Sequence, residues 1–205
     1  MKGATTVRAR GRPRAFDRNA ALEAAMRLFW RRGYAATSIS DLTQVMGIGS
    51  PSLYAAFGSK EELYAEALQH FGRTAAPLIW SSLDGAGSAR DAIGRLLLAA
   101  AAEFPATSGK PAGCMVTLSA VGEEGCAALG DLVARGRAEG LSRLEGRLAR
   151  ALADGELPPG ADIPATARFF VSVLQGMALQ ARDGAGRREL EGVARTAMAA
   201  WPASA

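Results

Sequence analysis

The sequence predicts an all-α protein, and three observations support this. Ala and Leu dominate the apolar residues, which make up 49% of the 205-residue chain, and both are good helix formers. No segment has the alternating Val, Ile, Thr and aromatic pattern of a β-strand. Capping residues followed by apolar residues at helical spacing recur along the chain instead. A chain of this length and apolar content can form a packed core without metal or disulfide.

The N-terminal region begins with a basic arm and continues into a first helix. Residues 1–15 are rich in Gly, Pro and Arg and show no apolar period, so we expect them to be disordered in isolation. Asp17 is a suitable N-cap, and apolar residues then recur at helical spacing until Gly33 ends the helix. We therefore place the start of the first folded domain at residue 16.

Two short helices follow, joined by a glycine turn. A capping-box pattern at Ser38 starts the second helix, and Gly47 supplies its C-terminal end. Ser50 is predicted as the N-cap of the third helix, with Pro51 as its first helical residue. This pair is a helix-turn-helix unit, in which the second helix enters the major groove and its N-terminal residues face base edges.

The rest of the chain is predicted to be helical as well. Ser59 and Glu62 form another capping box, which starts a long fourth helix that runs through Phe71 toward Trp80. Residues 16–62 are then the helix-turn-helix domain, and residues 63–205 are a second helical domain. Further helices are predicted near residues 89–104, 123–154, 165–182 and 187–200, with a shorter segment near 114–121.

The charge of the chain is unevenly distributed. The net charge of +4 divides into +7 for residues 1–60, with ten Lys/Arg against three acids, and −3 for residues 61–205. A basic N-terminal region followed by a mildly acidic remainder indicates that the N-terminal region alone binds a polyanion. The alternative is a solvated basic tail without a partner.

No segment predicts secretion or membrane insertion. No apolar region follows the basic N-terminus, and the longest apolar run, residues 96–102, is too short to cross a bilayer. We expect a soluble cytoplasmic protein without membrane contact. Its two cysteines, Cys114 and Cys126, should stay reduced there.

The sequence resembles the TetR family of bacterial one-component regulators. The similarity lies in AALEAAMRLFWRRGYAATS and TSISDLTQVMGIGSPSLYAAFGSKEELYAEAL, and a shorter one lies in LQGMALQARDGA near the C-terminus. The resemblance implies a three-helix DNA-binding domain followed by a helical ligand-binding and dimerisation domain. It also implies a repressor that is released from double-stranded DNA by a small-molecule effector, with no cofactor.

The resemblance and the helix-turn-helix pattern together assign the DNA contacts. Tyr54 and Lys60 match residues that contact phosphates in the family, and the N-terminal arginines match an arm that lies along the minor groove. The start of the second helix should offer phosphate donors, and the start of the third should face bases. The expected DNA-binding residues are Arg10, Arg12, Arg14, Thr37, Ser38, Ser40, Ser50, Pro51, Ser52, Tyr54 and Lys60. For Tyr54, the alternative is packing between helices three and one, and for Lys60 it is a solvated lysine in the first turn of its helix.

The third helix departs from the family pattern. Many members carry long polar side chains on its exposed face, whereas this chain has Pro51, Ser52, Ala55 and Ala56. None of these can form a bidentate pair with guanine or adenine. We therefore expect recognition through serine hydroxyls, thymine methyl contacts and the arginine arm.

The resemblance also implies an effector pocket among the middle helices. Apolar residues predominate among the candidates, which favours a hydrophobic or aromatic molecule, and Gln175 is the polar residue able to orient it. The candidate residues are Trp80, Phe104, Cys114, Met115, Leu118, Phe170, Gln175 and Met177. The alternative for each is a plain core position.

Cys114 supports a second hypothesis for the signal. A short helix beginning at this residue would place its sulfur at a helix N-terminus, where the thiol pKa falls. The protein would then sense electrophiles or oxidants through Cys114 while controlling the same repression. The alternative is a cysteine packed as a small apolar side chain.

The last two helices predict a homodimer. Their apolar stripes are wide, and Gly176 permits close helix approach. A two-fold dimer presents two reading helices about one DNA turn apart, roughly 34 Å, or a multiple of it. The expected operator is an inverted repeat.

Enzymatic and purely structural functions fit the sequence less well. His70 is the single histidine and has no nucleophile motif around it, so we assign no catalytic residues. One histidine and two separated cysteines cannot provide a metal site. A helical interaction module without DNA binding is opposed by the charge asymmetry.

Overall fold

The computed structural model describes residues 16–85, 87–122 and 126–202, and the regular elements in these ranges are helical, as predicted. The basic arm with Arg10, Arg12 and Arg14 lies outside the described residues. The helices are α1 (Arg18–Arg32), α2 (Ile39–Met46), α3 (Ser50–Phe57), α4 (Lys60–Thr74), α5 (Pro77–Trp80), α6 (Ala89–Glu103), α7 (Ala127–Ala153), α8 (Ile163–Arg182) and α9 (Arg187–Ala199), with a 3-10 turn at Ser81–Leu83.

The caps of the first two helices are those that the sequence predicts. The Asp17 carboxylate accepts hydrogen bonds from the first amides of α1, and Gly33 ends that helix with φ +81°. Ser38 and Asp41 form a complete capping box at α2. Gly47 then adopts the left-handed conformation, which glycine enters without steric cost and which turns the chain toward α3.

The predicted start of α3 is wrong by one residue. Gly49, not Ser50, is the N-cap: its backbone is extended and its carbonyl accepts the Leu53 amide at 3.0 Å. Ser50 is the first helical residue and Pro51 the second. Proline fits there as well, because the first four amides of a helix have no intrahelical partner.

The predicted long fourth helix is also wrong at its end. α4 stops at Thr74, and a single short turn, α5, reaches Trp80. Pro77 explains the break, because it has no N–H to donate to the carbonyl of Arg73. The amides of Ala75 and Ala76 both bond to the Phe71 carbonyl and close α4.

The segment 114–121 is a series of turns and not a helix. Arg137 of α7 holds these turns in place, because its guanidinium donates to the carbonyls of Val116, Thr117 and Ser119. We call residues 114–121 the turn segment.

The buried side chains form two clusters, and α7 contributes to both, whereas the buried residues of α4 all lie in one of them. The first cluster joins α1 to α4 with part of the turn segment and the start of α7, through Met115, Val121, Leu129 and Val133. The second contains α5, α6, α8, α9 and the C-terminal half of α7. Cys114 is packed against both clusters. We call them the reader core and the effector core.

Aromatic rings pack α4 against α1 within the reader core. Tyr64 is almost fully buried, and its ring meets Phe29 edge-on at 4.9 Å and Tyr34 at 5.3 Å. Trp30 meets Phe71 in the same geometry at 4.9 Å. Edge-to-face pairs of this kind stabilise beyond their buried area. The orientation of α4 is thereby fixed relative to the helix-turn-helix.

The capping box at α2 gives a test of the local fold. Replacing Ser38 by Ala removes the hydroxyl that accepts the Asp41 amide at 3.1 Å. We expect the free energy of unfolding to fall by about 1 kcal/mol, measured by urea denaturation. The control is Ser40→Ala, an exposed position in the same helix, with an effect below about 0.5 kcal/mol. Equal losses in both variants would contradict the capping role.

Candidate nucleic-acid interface and effector cavity

The outer face of α3 consists of small side chains and one tyrosine. Leu53 and Phe57 are buried in the reader core, which leaves the opposite face of the helix in solvent. The residues exposed there are Ser50, Pro51, Ser52, Tyr54 and Ala55. Tyr54 is 49% exposed, so the alternative of packing between helices is wrong for this residue. This face can approach a surface closely, because little side chain stands in the way.

The residues at the start of α2 differ in what they can offer a phosphate. Thr37 is fully buried, its hydroxyl donates to the Gly33 carbonyl at 2.7 Å and its amide to the Tyr34 carbonyl. The expectation that Thr37 donates to DNA is therefore wrong. Ser38 is exposed, but its amide and hydroxyl both donate to Asp41. Ser40 is exposed and stays a predicted contact.

Asp41 also carries charge near this surface. The hydrogen bonds from Ser38 lower the pKa of the Asp41 carboxyl, and Arg32 adds a further bond at 3.0 Å. The carboxylate is thus ionised at neutral pH and partly balanced by the guanidinium. Because a carboxylate repels a phosphate, the start of α2 is a poorer anion site than its sequence suggests.

Lys60 is oriented by Tyr34, a residue outside the predicted DNA contacts. Its ammonium lies 4.2 Å from the centre of the Tyr34 ring, a cation–π distance. The Tyr34 hydroxyl in turn donates to Glu61 at 2.6 Å, and this bond lowers the pKa of the Glu61 carboxyl. Tyr34 ends the FWRRGY stretch, and its position in that pattern was the signal available. Lys60 is thereby held at the N-terminus of α4.

Arg18 joins three helices of the reader. Its guanidinium forms two bonds with the Glu66 carboxylate, at 2.6 and 2.7 Å, and a third with the Ala56 carbonyl at 3.1 Å. It also lies 4.4 Å from the centre of the Phe57 ring. The hydrogen bonds between the two side chains lower the pKa of the Glu66 carboxyl and raise the pKa of the Arg18 guanidinium. The pair connects α1 to α4 and holds the end of α3 between them.

A cavity of about 590 Å³ lies between α4, α5, α7, α8 and the turn segment. Of the predicted effector residues, Trp80, Cys114 and Gln175 line it. The remaining five lie outside its lining, buried or half-buried in the packing: Phe104, Met115, Leu118, Phe170 and Met177.

Most of the cavity wall comes from residues that the sequence did not single out. Apolar side chains of α4 and α7 form much of it, including Leu68, Phe71, Leu132 and Val133. Their helical spacing is that of core positions, so the sequence contains no signal that separates them from the core. The volume suits a drug-sized, mainly apolar molecule.

Trp80 is held in the cavity wall by Arg143 and by a glycine. Arg143 donates to the Trp80 carbonyl at 3.1 Å and to Asp84 at 3.0 Å, and its guanidinium lies 5.4 Å from the indole. A Cβ at Gly140 would lie 2.9 Å from the ring atom Cη2 of Trp80. The glycine thus leaves the space that the ring occupies.

Cys114 is half-buried in this wall, but its predicted environment is wrong. The turn segment has no α-helix, so the thiol is not at a helix N-terminus. The cysteine in such a position is Cys126, the N-cap residue of α7. What distinguishes Cys114 is its place in the cavity and between the two cores.

The described part of the chain contains neither a membrane-spanning helix nor a candidate metal site. No helix there is long and apolar enough to cross a membrane. Those residues also contain no group of three or more His, Cys, Asp or Glu that could hold a metal ion.

Comparison with known proteins points to one family. The family described as "Bacterial regulatory proteins, tetR family" matches residues 21–67. The HTH-type transcriptional repressor ComR of Escherichia coli (strain K12) is 34% identical over 197 residues, which cover 95% of this chain and 93% of ComR. BdcR, a repressor of the same type from the same organism, is 38% identical over 106 residues, 52% of this chain and 53% of BdcR.

Solved structures that resemble this chain belong to the same family. The TetR family transcriptional regulator CifR, a cysteine mutant complexed with 26-bp double-strand operator DNA, superposes with a TM-score of 0.86 at 41% identity. The match covers 94% of this chain and 100% of CifR. The reduced form of E. coli NemR shares the fold at 20% identity, with a TM-score of 0.73, over 88% of this chain and 94% of NemR.

Two glycine-to-alanine substitutions in α7 test the cavity wall. A Cβ at Gly146 would meet only the Arg150 guanidinium, at 4.0 Å, so Gly146→Ala should stabilise the protein by up to about 1 kcal/mol through helix propensity. Gly140→Ala offers the same gain but must displace Trp80, so we expect it to be less stable than Gly146→Ala in urea denaturation. Its tryptophan fluorescence should also shift. Equal stability and unchanged fluorescence would contradict the contact.

Proposed function

Since the chain belongs to the TetR family of bacterial regulatory proteins, we propose that it represses transcription by binding an inverted-repeat operator as a homodimer. The members of this family are DNA-binding regulators and not enzymes. The observation that carries the proposal is the exposed outer face of α3, within a fold that superposes on operator-bound CifR with a TM-score of 0.86.

The proposed contact with DNA relies on close approach and on phosphates. α3 would enter the major groove with Ser50, Pro51 and Ser52 at the base edges, where hydroxyls and apolar contacts replace bidentate pairs. Tyr54 is exposed beside them and would bond a phosphate. Lys60 would bind a second phosphate, with its charge added to the positive end of the α4 dipole.

The N-terminal arginines complete the proposed interface. Arg10, Arg12 and Arg14 would lie in the adjacent minor groove, where narrow A·T-rich segments attract arginine. Since α3 contributes no long polar side chain, we infer that the arm supplies much of the affinity. Phosphate and minor-groove contacts of this kind make binding strongly salt-dependent.

The proposed dimer interface is formed by α8 and α9. Phe169 and Leu179 are 41% and 53% exposed and lie on one face of α8 with Gly176 between them. A Cβ at Gly176 would meet nothing within 4 Å, so a partner helix could approach the backbone there. Large apolar side chains exposed on one face are typical of an interface.

We propose that a small, mainly apolar molecule releases the protein from DNA by occupying the cavity. Leu68 and Phe71 support this, because they are buried in the reader core and also line the cavity. A molecule that binds one arrangement of α4 better than another shifts the population toward it. The direct test of binding is a thermal-shift screen of apolar compounds, because a ligand of the folded state raises Tm.

A second candidate for the signal is modification of Cys114. Its position favours this, because the thiol lines the cavity and packs against both cores. An electrophile entering the cavity would meet this sulfur, and the adduct would occupy space between the reader core and the effector core.

Operator binding can be tested by mobility shift with the promoter region adjacent to the gene. We expect specific retardation that weakens with salt. Lys60→Ala should weaken binding about tenfold and reduce the salt slope by about 1, since it removes one phosphate contact. Arg73→Ala removes the same charge at the other end of α4 and should stay within about twofold. Retardation independent of sequence would contradict the proposal.

Thiol sensing has its own test in a Cys126→Ser background. After labelling with N-ethylmaleimide, we expect a loss of operator affinity of about tenfold or more, because the adduct fills the space around Cys114. The control, Cys114→Ser in the same background, should retain its affinity after the same treatment. Unchanged affinity of a stoichiometrically labelled protein would exclude the thiol mechanism.

A further inference from the structure

One arginine connects the C-terminal half of the chain directly to the reader. Arg182 is the last residue of α8, within the LQGMALQARDGA stretch. Its Nη2 donates to the Trp30 carbonyl at 2.9 Å, and its Nε donates to the Ala112 carbonyl at 3.4 Å. Trp30 lies in the last turn of α1, and Ala112 in the loop before the turn segment.

The contact at Trp30 suits a cation. The last carbonyls of an α-helix have no amide partner within the helix, and they form the negative end of its dipole. The Arg182 guanidinium therefore stands at the C-terminal ends of both α1 and α8. This side chain is exposed, so its bonds compete with water and can be broken at low cost.

The contact at Ala112 connects Arg182 to the cavity. The next residue, Gly113, approaches α8 so closely that a Cβ would lie 2.7 Å from the Ala178 carbonyl, and its φ is +78°. Cys114 follows and lines the cavity. One residue therefore separates Cys114 from the residue whose carbonyl Arg182 holds.

The Trp30 side chain holds the end of α1 by packing and not by a hydrogen bond of its own. Its indole packs edge-on against Phe71, another cavity residue. Its Nε1 is buried and has no hydrogen-bond partner among the described residues. The ring is thus held by packing. The hydrogen bond between Trp30 and the effector core is the one that Arg182 donates to the Trp30 backbone carbonyl.

We propose that Arg182 is a positioning residue that transmits the state of the cavity to α1. It holds the end of α1 while the Ala112 loop keeps its place, and it releases α1 when Cys114 and its neighbours shift. This inference rests on the proposed function for the meaning of the signal, but the mechanical coupling is independent of DNA.

Hydrogen exchange in the free full-length protein tests the coupling. All variants carry Cys126→Ser, and the perturbation is N-ethylmaleimide attached to Cys114. With Arg182 present, we expect the label to accelerate amide exchange at residues 30–37 at least threefold. In Arg182→Gln, these amides should exchange faster before labelling, and the label should add less than 1.5-fold.

Two further variants separate coupling from general destabilisation. Arg182→Lys keeps the charge and should retain part of the response to the label. Arg188→Gln removes an exposed arginine that has no hydrogen bond or ion pair within the described residues, and it should respond as the parent does. Tm should differ by less than 2 °C between Arg182→Gln and the parent, as expected for an exposed bond.

The outcomes decide between the proposals. If the label accelerates residues 30–37 equally in Arg182→Gln and in the parent, or in neither, the coupling role of Arg182 is wrong. If the exchange results agree with expectation but the protein binds no specific duplex in the mobility shift, the proposed function fails while the coupling stands.

Discussion

The packing of α4 against α1 is the constraint on which the rest of the structure depends. Tyr64 is buried between Phe29 and Tyr34, and its hydroxyl reaches Ser119 of the turn segment at 2.8 Å. One face of α4 therefore belongs to the reader core, while Leu68 and Phe71 also border the cavity. Reader and cavity share a wall. A change in the cavity therefore acts on α4 directly, and the proposed contact of Arg182 with the end of α1 would add a second connection.

The sequence predicted the elements whose signals are local. Asp17, Ser38 and Gly47 act through residues within four positions of themselves, and their caps form as expected. The predictions were wrong where a residue distant in the chain determines the local structure. Arg137 holds the turns of residues 114–121 through three of their carbonyls, and it lies about twenty residues away in the chain. Hydrogen bonds across such separations leave no periodic trace in the sequence.

The candidate site shows the same division. The exposure of Tyr54 follows from the amphipathic pattern of α3, whereas the burial of Thr37 follows from the turn that brings it back to Gly33. The cavity was predicted from the resemblance, and three of its lining residues were among those selected. The walls from α4 and α7 were not, because a side chain lining a cavity has the same spacing as one filling a core. Arg182 was visible only as part of a stretch, since its partners at 30 and 112 are distant in the chain.

The small side chains on α3 have a thermodynamic consequence for any surface that it meets. A lysine or glutamine loses about 1.5–2 kcal/mol of rotamer freedom when it is immobilised, whereas alanine and proline lose almost none. Pro51 and Ala55 therefore enter a contact already ordered. The helix gives up the discriminating bonds of long side chains, but it also avoids their entropy cost. Recognition by such a face is a matter of steric fit between two rigid shapes, and its penalty for a wrong sequence is a clash or a gap.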